Sequence, residues 1–161
     1  MSKIEKKIIA IGGVGVSPES DRSLDLFILS QLKKTKNHIG FLATASKDDC
    51  EKIEKFYKKF ENSNSELSHF NLTSNVSGFS EWLLSKDLVY VGGGNTSFML
   101  EIWRKNNFEE VFKIAYKQGI ILSGVSAGAV CWFDWILSDS MGQGFKPLKG
   151  INILEGSCTP H

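Results

Sequence analysis

The sequence predicts an α/β protein: a mostly parallel sheet with helices on both of its faces. Three observations lead there. Strand-length apolar runs alternate with longer segments of helical spacing along the chain, which is the pattern of successive β-α units. Two of those runs lead into glycine-rich turns, Gly92-Gly93-Gly94 and Gly124-Val125-Ser126-Ala127-Gly128, each followed by helix-compatible sequence. The composition is 42% hydrophobic and 23% charged over 161 residues, which suits one globular domain with a sizeable core.

The elements follow in order. Ile8 to Ile11 is the first strand, ending at Gly12 and Gly13, and Leu24 to Leu32 carries leucine and isoleucine at the spacing of a helix face. His38 to Ala43 is the second strand. It ends in Thr44-Ala45-Ser46, and Asp48 to Phe60 then sets charges around an apolar stripe of Ile53, Phe56, Tyr57 and Phe60. Leu67 to Leu72 reads as a weaker strand and Phe79 to Leu84 as a short helix. Leu88 to Val91 is a compact apolar strand, Phe98 to Trp103 and Phe108 to Tyr116 are helical, and Ile120 to Leu122 is a further buried strand. Ala129 to Trp135 is compatible with a helix.

Bulk charge narrows the function classes. With 19 basic and 18 acidic residues the net charge is +1, which gives no electrostatic footprint for nucleic acid or an anionic membrane. The apolar run after Lys6 and Lys7 is too short for a signal peptide or a membrane span, so a cytoplasmic protein is expected. Cys50, Cys131 and Cys158 are widely spaced and form no zinc-binding pattern, so they read as reduced thiols, and no metal is expected.

The chemistry concentrates at residues 124–128. Gly124-Val125-Ser126-Ala127-Gly128 matches G-x-S-x-G between a strand and a helix, the setting of a nucleophile elbow. Glycines two places either side let strand and helix approach while the hydroxyl projects outward. Helix N-terminal N–H groups are unpaired within the helix and carry positive partial charge, which suits a developing oxyanion. The turn at Gly92, Gly93 and Gly94 ends a separate strand and can supply a second donor. The competing interpretations are a phosphate-binding or purely structural glycine turn, and an ordinary N-cap serine.

A serine nucleophile needs a base, and the chain offers His38, His69 and His161. His38 opens a strand and so stands at the wrong end of the sheet, His69 lies upstream in the weak strand, and His161 follows Ser126 in loop-like sequence. For the orienting acid, Asp134 competes with Asp139. On an unbroken helix from Ser126, Asp134 would lie about 12 Å along the axis and out of reach. Asp139, in Ser138-Asp139-Ser140, can return toward the elbow; the alternative is a solvated turn aspartate.

Three segments, Val91-Gly92-Gly93-Gly94-Asn95-Thr96, Gly124-Val125-Ser126-Ala127-Gly128-Ala129 and Pro160-His161, resemble the signatures of peptidase family S51 in their order. Its members include aspartyl dipeptidase (peptidase E) and cyanophycinase. Ile9-Ala10-Ile11-Gly12-Gly13 and Ala43-Thr44-Ala45-Ser46 fit as well, so the likeness covers essentially the whole chain. The resemblance implies a flavodoxin-like three-layer sandwich similar to class I glutamine amidotransferases. It implies Ser126 as nucleophile, His161 as base and an acid around Asp139. Amides of the Gly92 to Asn95 turn and of Ala127 would bind the oxyanion and substrate, with no cofactor. The implied substrate is a small peptide, such as a dipeptide with amino-terminal aspartate.

Family members continue beyond the Pro-His pair, whereas this sequence stops at His161. The resemblance therefore implies either a form lacking its C-terminal elements or a base on the terminal residue. Missing elements would expose a sheet edge that invites association, a homodimer being the assembly to expect. An esterase or cyanophycinase-like activity and a catalytically silent remnant or binding domain stand as the rival functions.

Overall fold

The computed structural model describes residues 4–12 and 18–160. Strands β1 (Ile8–Ile11), β2 (Asn37–Leu42), β3 (Ser65–His69), β4 (Leu88–Val91) and β5 (Ile121–Val125) form a five-stranded sheet in the order β1-β5-β4-β2-β3. Every pairing in it is parallel. Parallel neighbours need long crossovers, and the helices α1 (Pro18–Ser30), α2 (Cys50–Phe60), α3 (Phe79–Leu84), α4 (Thr96–Lys105) and α5 (Phe108–Lys117) supply them. The predicted fold class is the one observed.

Strand β4 shows why the sheet carries helices on both faces. Its four residues are all buried, and side chains alternate between faces along a strand. Leu88 and Tyr90 join a core with Ile39, Phe41, Ile53, Phe56 and Phe60. Val89 and Val91 join the other, with Leu83, Met99, Leu100, Trp103 and Phe112. Continuous apolar runs without polar alternation are what a doubly covered strand requires. Helix α2 presents Ile53, Phe56 and Phe60 to the first core, and the Asp49 carboxylate starts it by accepting from the Lys52 N–H at 3.0 Å.

Two sequence expectations are corrected. The weaker strand is Ser65–His69 rather than Leu67 to Leu72; it is an edge strand whose polar residues Ser65, Glu66 and Ser68 gave little apolar signal. The helix expected over Ala129 to Trp135 ends early, as α6 (Ala127–Val130), and Phe133–Ser138 form strand β6. Trp135 and Leu137 are exposed while Ile136 and Ser138 are buried, a period of two that belongs to a strand. The helical reach that excluded Asp134 therefore does not exist, since Asp134 lies in β6.

Strand β6 is the centre of a second sheet. Strand β7 (Lys146–Lys149) runs antiparallel to it and β8 (Leu154–Cys158) parallel, in the order β7-β6-β8. Arg104 near the end of α4 fastens this sheet to the helices. Its guanidinium donates to the Lys149 carbonyl, to the Gly150 carbonyl at 3.2 Å and to the Glu109 carboxylate at 2.8 Å.

Candidate active site

Strand β5 ends at Val125, and the chain turns sharply into α6 through Ser126, which has φ 53° and ψ −113°. A non-glycine residue at positive φ costs energy and persists only where its surroundings impose it. The surroundings here are glycines packed without clearance. A β-carbon on Gly128 would collide with the Val91 carbonyl, and one on Gly124 would meet Val91 O at 2.6 Å as well as the Gly128 carbonyl. So α6 lies directly on the ends of β4 and β5.

Ser126 occupies the N-cap position of α6, yet its hydroxyl makes no capping hydrogen bond and its backbone is not in the extended region that capping residues adopt. The serine therefore does not act as an ordinary side-chain N-cap. The Ser126 N–H donates to Ile11 O at 3.4 Å, which ties the turn to the end of β1. Ala127 and Gly128 open the helix, so their N–H groups have no partner within it.

The glycine turn after β4 stands beside this serine. A β-carbon on Gly93 would lie 3.2 Å from Ser126 Cβ and 3.7 Å from its Oγ. Both ends of the turn are fastened: Gly92 N–H donates to Leu42 O at 2.9 Å and Asn95 N–H to Ala45 O at 2.7 Å. Gly94, at φ 149°, admits no β-carbon because the Ala45 carbonyl occupies the space. Lys52 Nζ donates to Gly93 O at 2.9 Å and fixes that peptide. Among the described residues, the Gly93 N–H donates to no backbone carbonyl.

Asn95 caps α4, its Oδ1 accepting from the Phe98 N–H at 2.8 Å. Its Nδ2 donates to Ser140 O at 3.1 Å, so the glycine turn is joined to the residue that follows Asp139. Asp139 is exposed, in the bend after β6. His161 lies outside the described residues; Pro160 before it is buried. The other two histidines are engaged elsewhere. His38 sits near the start of β2, its N–H donating to the Asp87 carboxylate at 2.8 Å, and His69 is 2.8 Å from the Tyr57 hydroxyl on the edge strand. Two strands of the sheet order, β4 and β2, separate β3 from β5.

Sequence reasoning missed the cleft in front of Ser126. A cavity of about 550 Å³ is lined by Ser126, Gly92 and Gly93 on one side and by Lys52, Lys55, Lys58 and Lys59 of α2 on the other. Phe41, Phe56 and Tyr90 also line it, Phe41 and Phe56 stacked 4.7 Å apart. Lys59 is paired with Asp25 at 3.0 Å. The volume lies in the range of small-ligand sites. The signal lay in the lysines at 52, 55, 58 and 59, which helical spacing gathers toward one side of α2.

Cys131 is fully buried, and burial pushes its thiol well above the ordinary range, away from reactivity. No helix among the described residues is long and apolar enough to cross a membrane.

Comparisons with known proteins give the family and the fold. The model of peptidase family S51 matches residues 8–161. A Bacillus subtilis (strain 168) protein named uncharacterized peptidase YgaJ is 40% identical over 158 residues, which span 97% of this chain and 68% of that protein. A crystal structure of a candidate peptidase E protein from Listeria monocytogenes EGD-e has a TM-score of 0.69 at 16% identity, covering 93% of this chain and 76% of that one. A peptidase from an acI-B1 actinobacterium has a TM-score of 0.62 at 16% identity, covering 91% and 63%. At that identity, the two structures speak to the fold.

Proposed function

The chain belongs to peptidase family S51, and from that membership we propose that it is a serine-type peptidase that cleaves small peptides, among them dipeptides with amino-terminal aspartate. The observation that carries this reading is Ser126, strained at φ 53° with an uncapping hydroxyl, facing Gly93 at the mouth of a lysine-lined cleft.

In this reading Ser126 Oγ attacks the scissile carbonyl carbon while the His161 imidazole takes its proton. The negative charge that develops on the carbonyl oxygen is held by the N–H groups of Gly93 and Ala127. The C–N bond then breaks as the imidazolium protonates the leaving amine, and water, deprotonated by the same imidazole, releases the acyl group from Ser126. Asp139 orients the imidazole. The topology supports the last two assignments: β8 runs parallel to β6, pairing Cys158 with Ile136, so both chains advance toward the end at which Asp139 follows β6.

The cleft supports an acidic substrate. Lys52, Lys55 and Lys58 bring positive charge close to Ser126, and a carboxylate among such groups gains more in a partly enclosed cleft than it would in bulk water. Phe41, Phe56 and Tyr90 offer an apolar wall for the rest of a small peptide.

The test is hydrolysis of aspartyl p-nitroanilide beside leucyl p-nitroanilide, with a fluorophosphonate as a probe of the hydroxyl. The aspartyl amide is expected to be cleaved faster, Ser126→Ala to abolish both cleavage and labelling, and Lys55→Met with Lys58→Met to raise KM for the aspartyl amide alone. A folded protein that neither cleaves nor takes the probe is a silent binding domain, and the reading fails.

A further inference from the structure

The bend that carries Asp139 has little to hold it in place. Asp139 itself is exposed, and Gly142 and Gly144 follow at φ 113° and 74° with no atom within 4 Å of the positions their β-carbons would take. A surface segment of this kind samples many conformations unless something fastens it. What fastens it is Ser140, and the anchor is the start of α4.

Four hydrogen bonds meet there. Ser140 O accepts from Asn95 Nδ2 at 3.1 Å, and Ser140 Oγ accepts from the Ser97 N–H at 3.1 Å, so one residue takes a donor through its backbone and another through its side chain, both from the first turn of α4. Ser138, only 1% exposed at the end of β6, completes the bend: its hydroxyl donates to Ser140 Oγ at 3.0 Å and accepts from the Ser140 N–H at 3.2 Å. The Ser97 N–H is an orphan donor of the helix start, which would otherwise face water. Asn95 also closes the glycine turn through its own N–H to Ala45 O.

We propose that Ser140 is a positioning residue of the peptidase, clasping the Asp139 bend to the first turn of α4 so that the acid and the oxyanion turn are held in one frame. This rests on the reading of Ser126, His161 and Asp139 as a triad. Ser140 touches no reacting atom; it acts through Asp139, whose carboxylate must meet the imidazole within a fraction of an ångström. Misplacement of about 1 Å in such a constellation costs up to about a hundredfold in rate.

The proposal is tested by a double-mutant cycle of Ser140→Ala and Asp139→Asn, with Ser140→Thr as the conservative variant. The readouts are the rate of fluorophosphonate labelling at Ser126 and kcat and KM for aspartyl p-nitroanilide. S140A is expected to lower kcat and the labelling rate about tenfold with KM within about twofold, and S140T to restore most of the loss. In the D139N background S140A is expected to cost nothing further, because two residues that act through one another do not add. An additive loss, or an S140T protein as slow as S140A, overturns the clasp. Thermal unfolding follows each variant, and Ser140→Cys, a weaker acceptor of similar size, carries the same cycle if S140A does not fold. A fully active D139N removes the acid and the proposal together. Labelling that survives Ser126→Ala, or is absent from the native protein, overturns the triad itself, a result separate from an additive cycle.

Discussion

Gly93 and Ser126 face each other across the ends of adjacent strands β4 and β5, so closely that a β-carbon on Gly93 would stand 3.2 Å from Ser126 Cβ. That spacing is tight without being forbidden, and a methyl group would be accommodated by a small shift of one side against the other. The shift falls on the hydroxyl and on the Gly93 N–H, the two groups that converge on one carbonyl in the proposed mechanism. Gly93→Ala is therefore expected to leave the thermal midpoint nearly unchanged and to slow fluorophosphonate labelling at least about tenfold, in line with losing one oxyanion donor. Labelling at the native rate in G93A would separate this turn from the chemistry.

The parts of this fold that were legible in the sequence are those buried on both sides. Leu88 to Val91 and Ile120 to Leu122 are uninterrupted apolar runs because every residue in them is buried, and the glycines that follow mark where helix and strand touch. The second sheet left no such trace. Lys146–Lys149 contains a proline and two lysines, Leu154–Cys158 contains a glycine and a glutamate, and both are edge strands paired to β6 that send only Leu148, Leu154 and Cys158 against the core. Phe133–Ser138 kept its period of two, but its aromatic and aliphatic residues also suit a helix, and the preceding elbow made a long helix the natural expectation. The cleft was hidden for another reason: Lys52, Lys55 and Lys58 reach Ser126 only because β2 and β4 are neighbours, and strand order is not written in local pattern.

Arg104 makes the attachment of that second sheet testable. Its guanidinium reaches the Lys149 and Gly150 carbonyls beside its pair with Glu109, and the hydrogen bonds of a charged donor are each worth more than neutral ones, though partial exposure reduces them. Arg104→Ala is expected to destabilise the chain by about 1 to 2 kcal/mol in urea unfolding. The loss should be local as well, with faster amide hydrogen exchange at Gly150 and Ile151, whose N–H groups bond Asp134 O and Cys131 O. Uniformly faster exchange across both sheets would show that Arg104 supports the whole fold rather than this junction.

Asp87 sets a pH dependence far from the candidate site. Burial alone would raise its pKa, but the Lys34 ammonium at 2.6 Å and the His38 N–H at 2.8 Å outweigh burial and hold the carboxyl below its ordinary value of 3.8. A carboxyl whose pKa is lower folded than unfolded binds protons more readily when unfolded, so its stabilisation is fully present above pH 3.8 and is lost as pH falls through the lower, folded value. Asp87→Asn is expected to flatten the decline of the unfolding midpoint below about pH 4, with most of its cost seen at neutral pH. A decline that keeps its full slope in D87N would place the acid sensitivity on other carboxylates.

Strain at the elbow gives the last prediction, because it sets stability against function at a single residue. Ser126 holds φ 53° and ψ −113°, a conformation that costs a residue with a β-carbon about 1 to 3 kcal/mol and glycine far less. Replacing it by glycine removes that strain but also frees the unfolded chain, which offsets about 0.4 to 1 kcal/mol. Ser126→Ala keeps the strain and loses the hydroxyl. Both variants should be inactive if the hydroxyl is the nucleophile, yet Ser126→Gly is expected to unfold at a higher temperature than Ser126→Ala, by about 1 kcal/mol of stability. The comparison isolates the backbone, since neither variant carries a polar side chain. A glycine variant no more stable than the alanine variant would mean that the packing of Gly124 and Gly128 against Val91 leaves the turn unstrained, and the pre-organisation attributed to the elbow would have to come from elsewhere.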